Sequence, residues 1–307
     1  MRISSNTIFD ASVSAMQQQS AKLLQAQQQI STGRRMLTPA DDPIAAAQAL
    51  QVTQAQTMNA QYSTNAGSAS DSLTLEESIL GNITSLLQDV RTISVNAGNG
   101  ALNSSDRAIL ATDLSGRYQQ LLGLANTIDG NGQYLFSGYQ GGVRPFTEVA
   151  PGTVAYNGDQ GQRLIQISAS EQLAVSDAGS DVFQRIPVAG GGYQDVFKTI
   201  DDLVQLLQTS PGGAGLTTGL ATALSNIDNA LNNVITVRTS AGSRLKELDA
   251  VQSTGEDRAL QYSQTLSRLQ DVDYAKAAAE LTQQQVNLEA AQKSFVKVAG
   301  LSLFSYL

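Results

Sequence analysis

The sequence contains no cysteine, no histidine and no tryptophan. Without cysteine there is no disulfide and no thiolate nucleophile; without histidine there is no imidazole base, and ordinary zinc and haem sites lose their usual ligands. Any chemistry would fall to carboxylates, Lys, Tyr and hydroxyls, and no cofactor is expected. A cysteine-free chain suits oxidising surroundings, although this alone does not locate it. Lys and Arg form no run, and the formal charge is −8. That balance argues against nucleic acid as a partner, since phosphates need clustered cations, and against an anionic membrane surface. No stretch approaches the ~20 consecutive apolar residues that a bilayer-spanning helix requires. The opening MRISSNTIFDASVSAMQQQS lacks the apolar run of a secretory signal, which by itself points to the cytosol. Aromatics make up only 5% of the chain, so material for a broad globular core is thin.

What is plentiful is Ala and Gln, which favour long helices with narrow apolar stripes. Phe9, Met16, Leu23 and Ile30 recur every seven residues, and Ser12, Gln19 and Ala26 follow the first three by three positions. Between Ala11 and Gly33 the only charge is Lys22, beside seven Gln; a helix with so little charge expects neighbours on several sides. The far end repeats the pattern. Tyr274, Leu281, Leu288 and Phe295 are seven apart, each followed three residues later by Ala277, Gln284, Ala291 or Val298. A strict sevenfold repeat with small residues beside one large anchor marks a coiled-coil seam.

Between these arms, Asp42 and Pro43 fit the N-cap and first position of a helix reaching about Asn96. Ser104-Ser105-Asp106 reads as the cap of another helix, carrying Ile128 near its end and closed by Gly130-Asn131-Gly132. From Tyr134 to Phe197 glycine becomes frequent and the periodicity shortens. There Asn157-Gly158 predicts a hairpin turn joining Val154–Tyr156 to Leu164–Ile167. Helix is predicted again over Gln194–Thr209 and from about Leu216 onward. The expected fold is mainly α: an elongated rod of long antiparallel coiled-coil-like helices from both chain ends, with a small β-rich inserted domain. Its expected divisions are a terminal coiled-coil domain (1–40 and 262–307), a helical rod domain (41–138 and 193–261) and a β-rich outer domain (139–192).

The carboxylate pairs have structural readings that outweigh catalytic ones. Asp41-Asp42 caps a helix before Pro43. Asp271 and Asp273 start the last helix at its positive dipole end, and Asp201-Asp202 sit near another helix start. No calcium loop, phosphate loop or nucleophile elbow accompanies them. The arms carry a different expectation. A single stripe with Ala and Gln alternates buries little area, while ordering each residue costs on the order of 1–2 kcal/mol. Such arms should gain order from neighbouring copies.

ISTGRRMLTPADDPIAAAQAL (Ile30–Leu50), LLQDVRTISVNAGNG (Leu86–Gly100) and DVDYAKAAAELTQQQVNLEAAQKSFVKVAGLSLFSYL (Asp271–Leu307) resemble, in this order, three signature stretches of the flagellin superfamily. The opening MRIS, the phrase DDPIAAAQA, the insert pattern of Tyr156–Phe183 and the ending LSLF are more similar to the hook-associated proteins of the hook–filament junction than to filament flagellin. The resemblance implies a structural subunit of the flagellum that is not an enzyme and is exported unfolded to an extracellular location. The implied partners are copies of itself, neighbouring hook-associated proteins, flagellin as a further candidate, and an export chaperone at the C-terminal helix. A short filament flagellin is the alternative, and an exported hydrolase or adhesin built on the β insert is the reading from another class. The expected self-assembly surface comprises Phe9, Met16, Leu23 and Ile30, then Tyr274, Leu281, Leu288, Phe295 and Val298, with Leu301 and Phe304 in the closing motif. Arg91 joins it by matching a packing segment of flagellins. Asp89 stands where many flagellins carry a basic residue, so the immune-receptor recognition of that segment is not carried over.

Overall fold

The computed structural model describes residues 5–188 and 191–300. Six α-helices occur among them: α1 (Ser5–Thr32), α2 (Pro43–Ala97), α3 (Ser104–Ala125), α4 (Val196–Thr209), α5 (Ala214–Gln270) and α6 (Tyr274–Gly300). Between α3 and α4 lie six short strands, β1 (Phe146–Ala150), β2 (Thr153–Tyr156), β3 (Leu164–Gln166), β4 (Gln172–Ala174), β5 (Ile186–Pro187) and β6 (Tyr193–Gln194). They pair as three antiparallel hairpins, β1–β2, β3–β4 and β5–β6. The fold is mainly α with a small β-containing region. The chain divides into two compact units: Met1–Asn59 with Asp257–Leu307, and Ala60–Glu256.

The helix boundaries follow local chemistry. Asp42 caps α2, its carboxylate accepting the Ala45 N–H at 3.0 Å while Pro43 takes the first helical position. Asn103, not the serines after it, caps α3: its side chain accepts the Asp106 N–H, and the Asp106 carboxylate returns a bond from the Asn103 N–H. That reciprocal box satisfies two otherwise orphaned donors. α3 ends at Ala125, short of Ile128, which instead bridges Tyr134 as an isolated β-pair. Asp195 caps α4, so Asp201 and Asp202 lie in its middle, with Asp202 paired to Lys198 at 2.7 Å.

The Asn157-Gly158 hairpin does not form. β2 pairs backward with β1 through Pro151-Gly152, where Gly152 has φ +71°, a left-handed conformation that glycine adopts without a Cβ clash. β3 pairs forward with β4. Asn157 instead ties the chain back, its amide donating to Thr147 Oγ1 at 2.6 Å, while the Tyr156 hydroxyl bridges the Phe136 and Asp159 carbonyls at 2.9 and 2.7 Å. The dipeptide serves a loop between hairpins.

Nor does the insert have a core wholly its own. Phe183 packs against Phe136, Phe146 and Phe197 with ring centroids 5.2–5.7 Å apart. Four of the chain's seven phenylalanines are thus concentrated where the β1–β2 region meets α4. This cluster is continuous with buried Leu and Ile from α2, α3, α4 and α5. Such aromatic packing contributes about 0.5–1.5 kcal/mol per pair beyond area burial. A smaller cluster seats the β3–β4 hairpin, through Ile167, Leu173 and Val175, on Ala66, Ala69 and Leu73 of α2 and on Ala241 and Leu248 of α5.

Beside that second cluster Glu76 is fully buried. Its Oε1 accepts the Asp177 N–H at 3.0 Å, its Oε2 has no partner, and Arg244 forms an ion pair with Asp177. Burial, reinforced by the neighbouring Asp177 charge, pushes the Glu76 carboxyl up to about 8. Folded protein therefore holds a proton that the unfolded chain releases near 4.5. The stability this contributes is complete below that pH and is lost as pH rises through about 8. Glu76→Gln should retain the Asp177 hydrogen bond and flatten this loss, so that urea midpoints measured from pH 5 to 9 fall less steeply in the variant than in the parent. Parallel slopes would remove Glu76 as the cause.

Candidate assembly surface

The unit formed by the two chain ends is built differently. α1 and α6 pack against each other antiparallel: the rings of Phe9 and Phe295 lie 5.1 Å apart, Gln19 Nε2 donates to Gln284 Oε1 at 2.6 Å, and the Val272 N–H donates to the Gly33 carbonyl at 2.9 Å. Gly33, at φ +69°, ends α1 in the left-handed conformation of a helix C-terminus. Asp273 starts α6, its side chain accepting the Lys276 N–H at 3.1 Å.

The sevenfold stripes therefore face one another within the chain. Met16, Leu23, Ile30, Leu281, Leu288 and Phe295 are half-buried along this seam, while Phe9 and Tyr274 at its ends remain exposed. Val298 has no described side chain, and Leu301 and Phe304 lie outside the described residues. Arg91, in the other unit, is bonded at 2.7 Å to Asp228 of α5, so any contact with another copy competes with an existing pair. Asp89 pairs with Arg117 at 2.9 Å.

Burial separates the two units sharply. Among the described residues, the buried apolar side chains of the terminal unit are Ala26, Ala45, Ala49 and Ala277, all alanines. Alanine lets helices approach closely but removes little apolar area from water. Several larger side chains are left outside the seam. Leu24 is 57%, Val286 56% and Val296 69% exposed on α1 and α6, with Ile44, Leu50 and Met58 exposed on α2 and Leu260 on α5. Heptad reading missed this outward set because those residues fall beside the stripes; only knowing which face pairs inside the chain shows which face is left.

The segment between α1 and α2 is held by its carboxylates. Asp41 accepts the Leu37 and Thr38 N–H groups at 2.9 and 2.8 Å, and Asp42 pairs with Arg35 at 3.2 Å. These contacts hold both carboxyls below the usual range: the Thr38 and Leu37 N–H groups act on Asp41, and the Ala45 N–H, helped by Arg35, acts on Asp42. Their work is architectural. Among the described residues no cluster of His, Cys, Asp and Glu is placed to hold a metal ion, and no helix is long and apolar enough to cross a membrane.

Long helices from both chain ends, paired through a sevenfold seam and enclosing a β-containing insert, define a flagellin-type subunit. A model of the bacterial flagellin N-terminal helical region matches residues 3–141. Flagellar hook-associated protein 3 of Salmonella typhimurium is 35% identical over 99% of both chains. The crystal structure of hook-associated protein 3 from Legionella pneumophila superposes with a TM-score of 0.67 at 22% identity, covering 71% of this chain and 98% of that one. A flagellin of Listeria innocua matches more distantly, at 24% identity over 79% of this chain and 85% of its own. This chain belongs to the flagellar hook-associated protein 3 family.

If the seam depends on close approach, adding apolar bulk to it should destabilise it. Ala26→Leu and Ala277→Leu are each expected to cost about 1–3 kcal/mol in the α1–α6 pairing. Helical circular dichroism should fall, while the aromatic signal of the Phe-rich core stays unchanged. Unchanged or increased helicity would show that the seam is loose.

Proposed function

We propose that the chain is a structural adaptor of the bacterial flagellum at the hook–filament junction, polymerising through its two terminal helices and catalysing no reaction. The observation that carries this reading is the terminal unit itself: its buried apolar residues are alanines, while Leu24, Ile44, Leu50, Leu260, Val286 and Val296 stand largely in solvent. Exposed apolar side chains in such number are what interfaces are made from.

The partners in this reading are copies of the same chain, the neighbouring hook-associated proteins, flagellin on the filament side, and an export chaperone engaging α6 before assembly. Export is unfolded and the final location extracellular. A chain without cysteine crosses that boundary with no thiol to protect or oxidise. The full-length match to the hook-associated family, against a more distant match to flagellins, favours the junction over the filament.

Leu24→Glu combined with Val286→Glu should abolish filament attachment and leave the thermal unfolding of the 60–256 unit unchanged. Attachment at the parent level would refute the role assigned to the outward face. Immunogold labelling of intact flagella should give a single band at the filament base, whereas continuous decoration would make the chain a filament flagellin.

A further inference from the structure

Near the start of α6 the terminal unit carries an open apolar groove of about 510 Å³, lined mainly by Met36, Leu37, Pro39, Pro43, Ala47 and Leu50, with Gln270 at one side. Leu50 is 70% exposed and its neighbour Ile44 74%. The wall formed by residues 36–39 is pre-set by the Asp41 carboxylate, which binds the Leu37 and Thr38 N–H groups. A groove organised before its occupant arrives loses less entropy on filling.

The sequence offers one short segment of matching chemistry. Leu301–Leu307 contains Leu301, Leu303, Phe304, Tyr306 and Leu307, with two serines and no charged side chain. This segment cannot fill the groove of its own chain. α6 begins beside the groove, with Gln270 in its wall and the Val272 N–H bound to Gly33, and runs for 27 residues away from it along α1. At about 1.5 Å per residue the far end of α6 lies roughly 40 Å off. Seven residues fully extended span at most about 25 Å.

We propose that the groove at 34–53 receives the Leu301–Leu307 tail of a second copy of this chain, joining successive subunits head to tail. The proposal rests on the assembly reading above and names its contact. The groove and the Gly300 end of α6, from which residues 301–307 continue, lie at opposite ends of the α1–α6 pair, so the contact is heterologous: each copy offers a groove at one end and supplies this segment from the other. Repeated, such a contact builds a ring or an open helical array rather than a closed twofold dimer.

The absence of cysteine makes a clean test available in the full-length chain. Ala47→Cys, at an exposed groove position, and Ser305→Cys are made separately, mixed at concentrations that favour assembly, and oxidised mildly. The crossed Ala47→Cys/Ser305→Cys dimer should exceed both same-site dimers severalfold, and adding Leu50→Glu should remove that excess. A crossed dimer no more abundant than the same-site dimers would overturn the proposal. So would a chain carrying both cysteines that closes on itself as a monomer. Sedimentation of the same mixture before oxidation separates the two levels: assembled protein without the crossed excess defeats tail docking alone, and monomer throughout without it defeats the assembly reading too.

Discussion

Close approach of two helices through alanine is the constraint on which the terminal unit depends. Ala26 and Ala277 are the buried apolar residues of α1 and α6, and small residues beside larger anchors let paired helices approach closely. Closeness is obtained at the expense of area, since a methyl group contributes far less than the roughly 1.5–3 kcal/mol of a fully buried Leu or Phe. The larger seam residues remain half in water, and Phe9 is paired with Phe295 yet exposed. Most of the stability of a protein helix comes from its packed face, and α1 and α6, of 28 and 27 residues, share a face that buries little. On the assembly proposed above, such a unit draws part of its order from whatever covers its outer side.

The 60–256 unit has the opposite balance. Its Phe-rich cluster and its leucine and isoleucine layers are fully buried, and its polar exceptions are organised. Glu76 and Asp177 share a hydrogen bond beneath the β3–β4 hairpin, and Arg91 and Arg238 tie α2 to α5 through Asp228 and Glu77. That unit has an interior of its own. On the function proposed above, one part of the chain folds on its own contacts and the other gains order from contacts between chains.

Where the pattern was strict, the sequence was legible. Both sevenfold stripes, the Asp42-Pro43 helix start and the Gly33 stop could be read residue by residue, because each depends on chemistry within a turn or two of helix. The misreadings have a common cause. Asn157-Gly158 carries the strongest local hairpin signal in the insert, yet Asn157 is recruited by Thr147 and Tyr156 by Phe136, partners that a local rule does not see. Asn103 displaced the serines as cap because its pairing with Asp106 is reciprocal. The assembly surface was half legible. The fold shows that the two stripes face one another inside the chain and leave Leu24, Val286 and Val296 outside.

Amide hydrogen exchange on the full-length chain, dilute and then assembled, tests the central claim most directly. In dilute monomer the amides of α1 and α6 should exchange within seconds to minutes while those of α3 and α4 stay protected for hours or longer, and assembly should bring α1 and α6 to comparable protection. Equal protection of all four helices in the dilute monomer would contradict the account, because the alanine seam would then hold without neighbours.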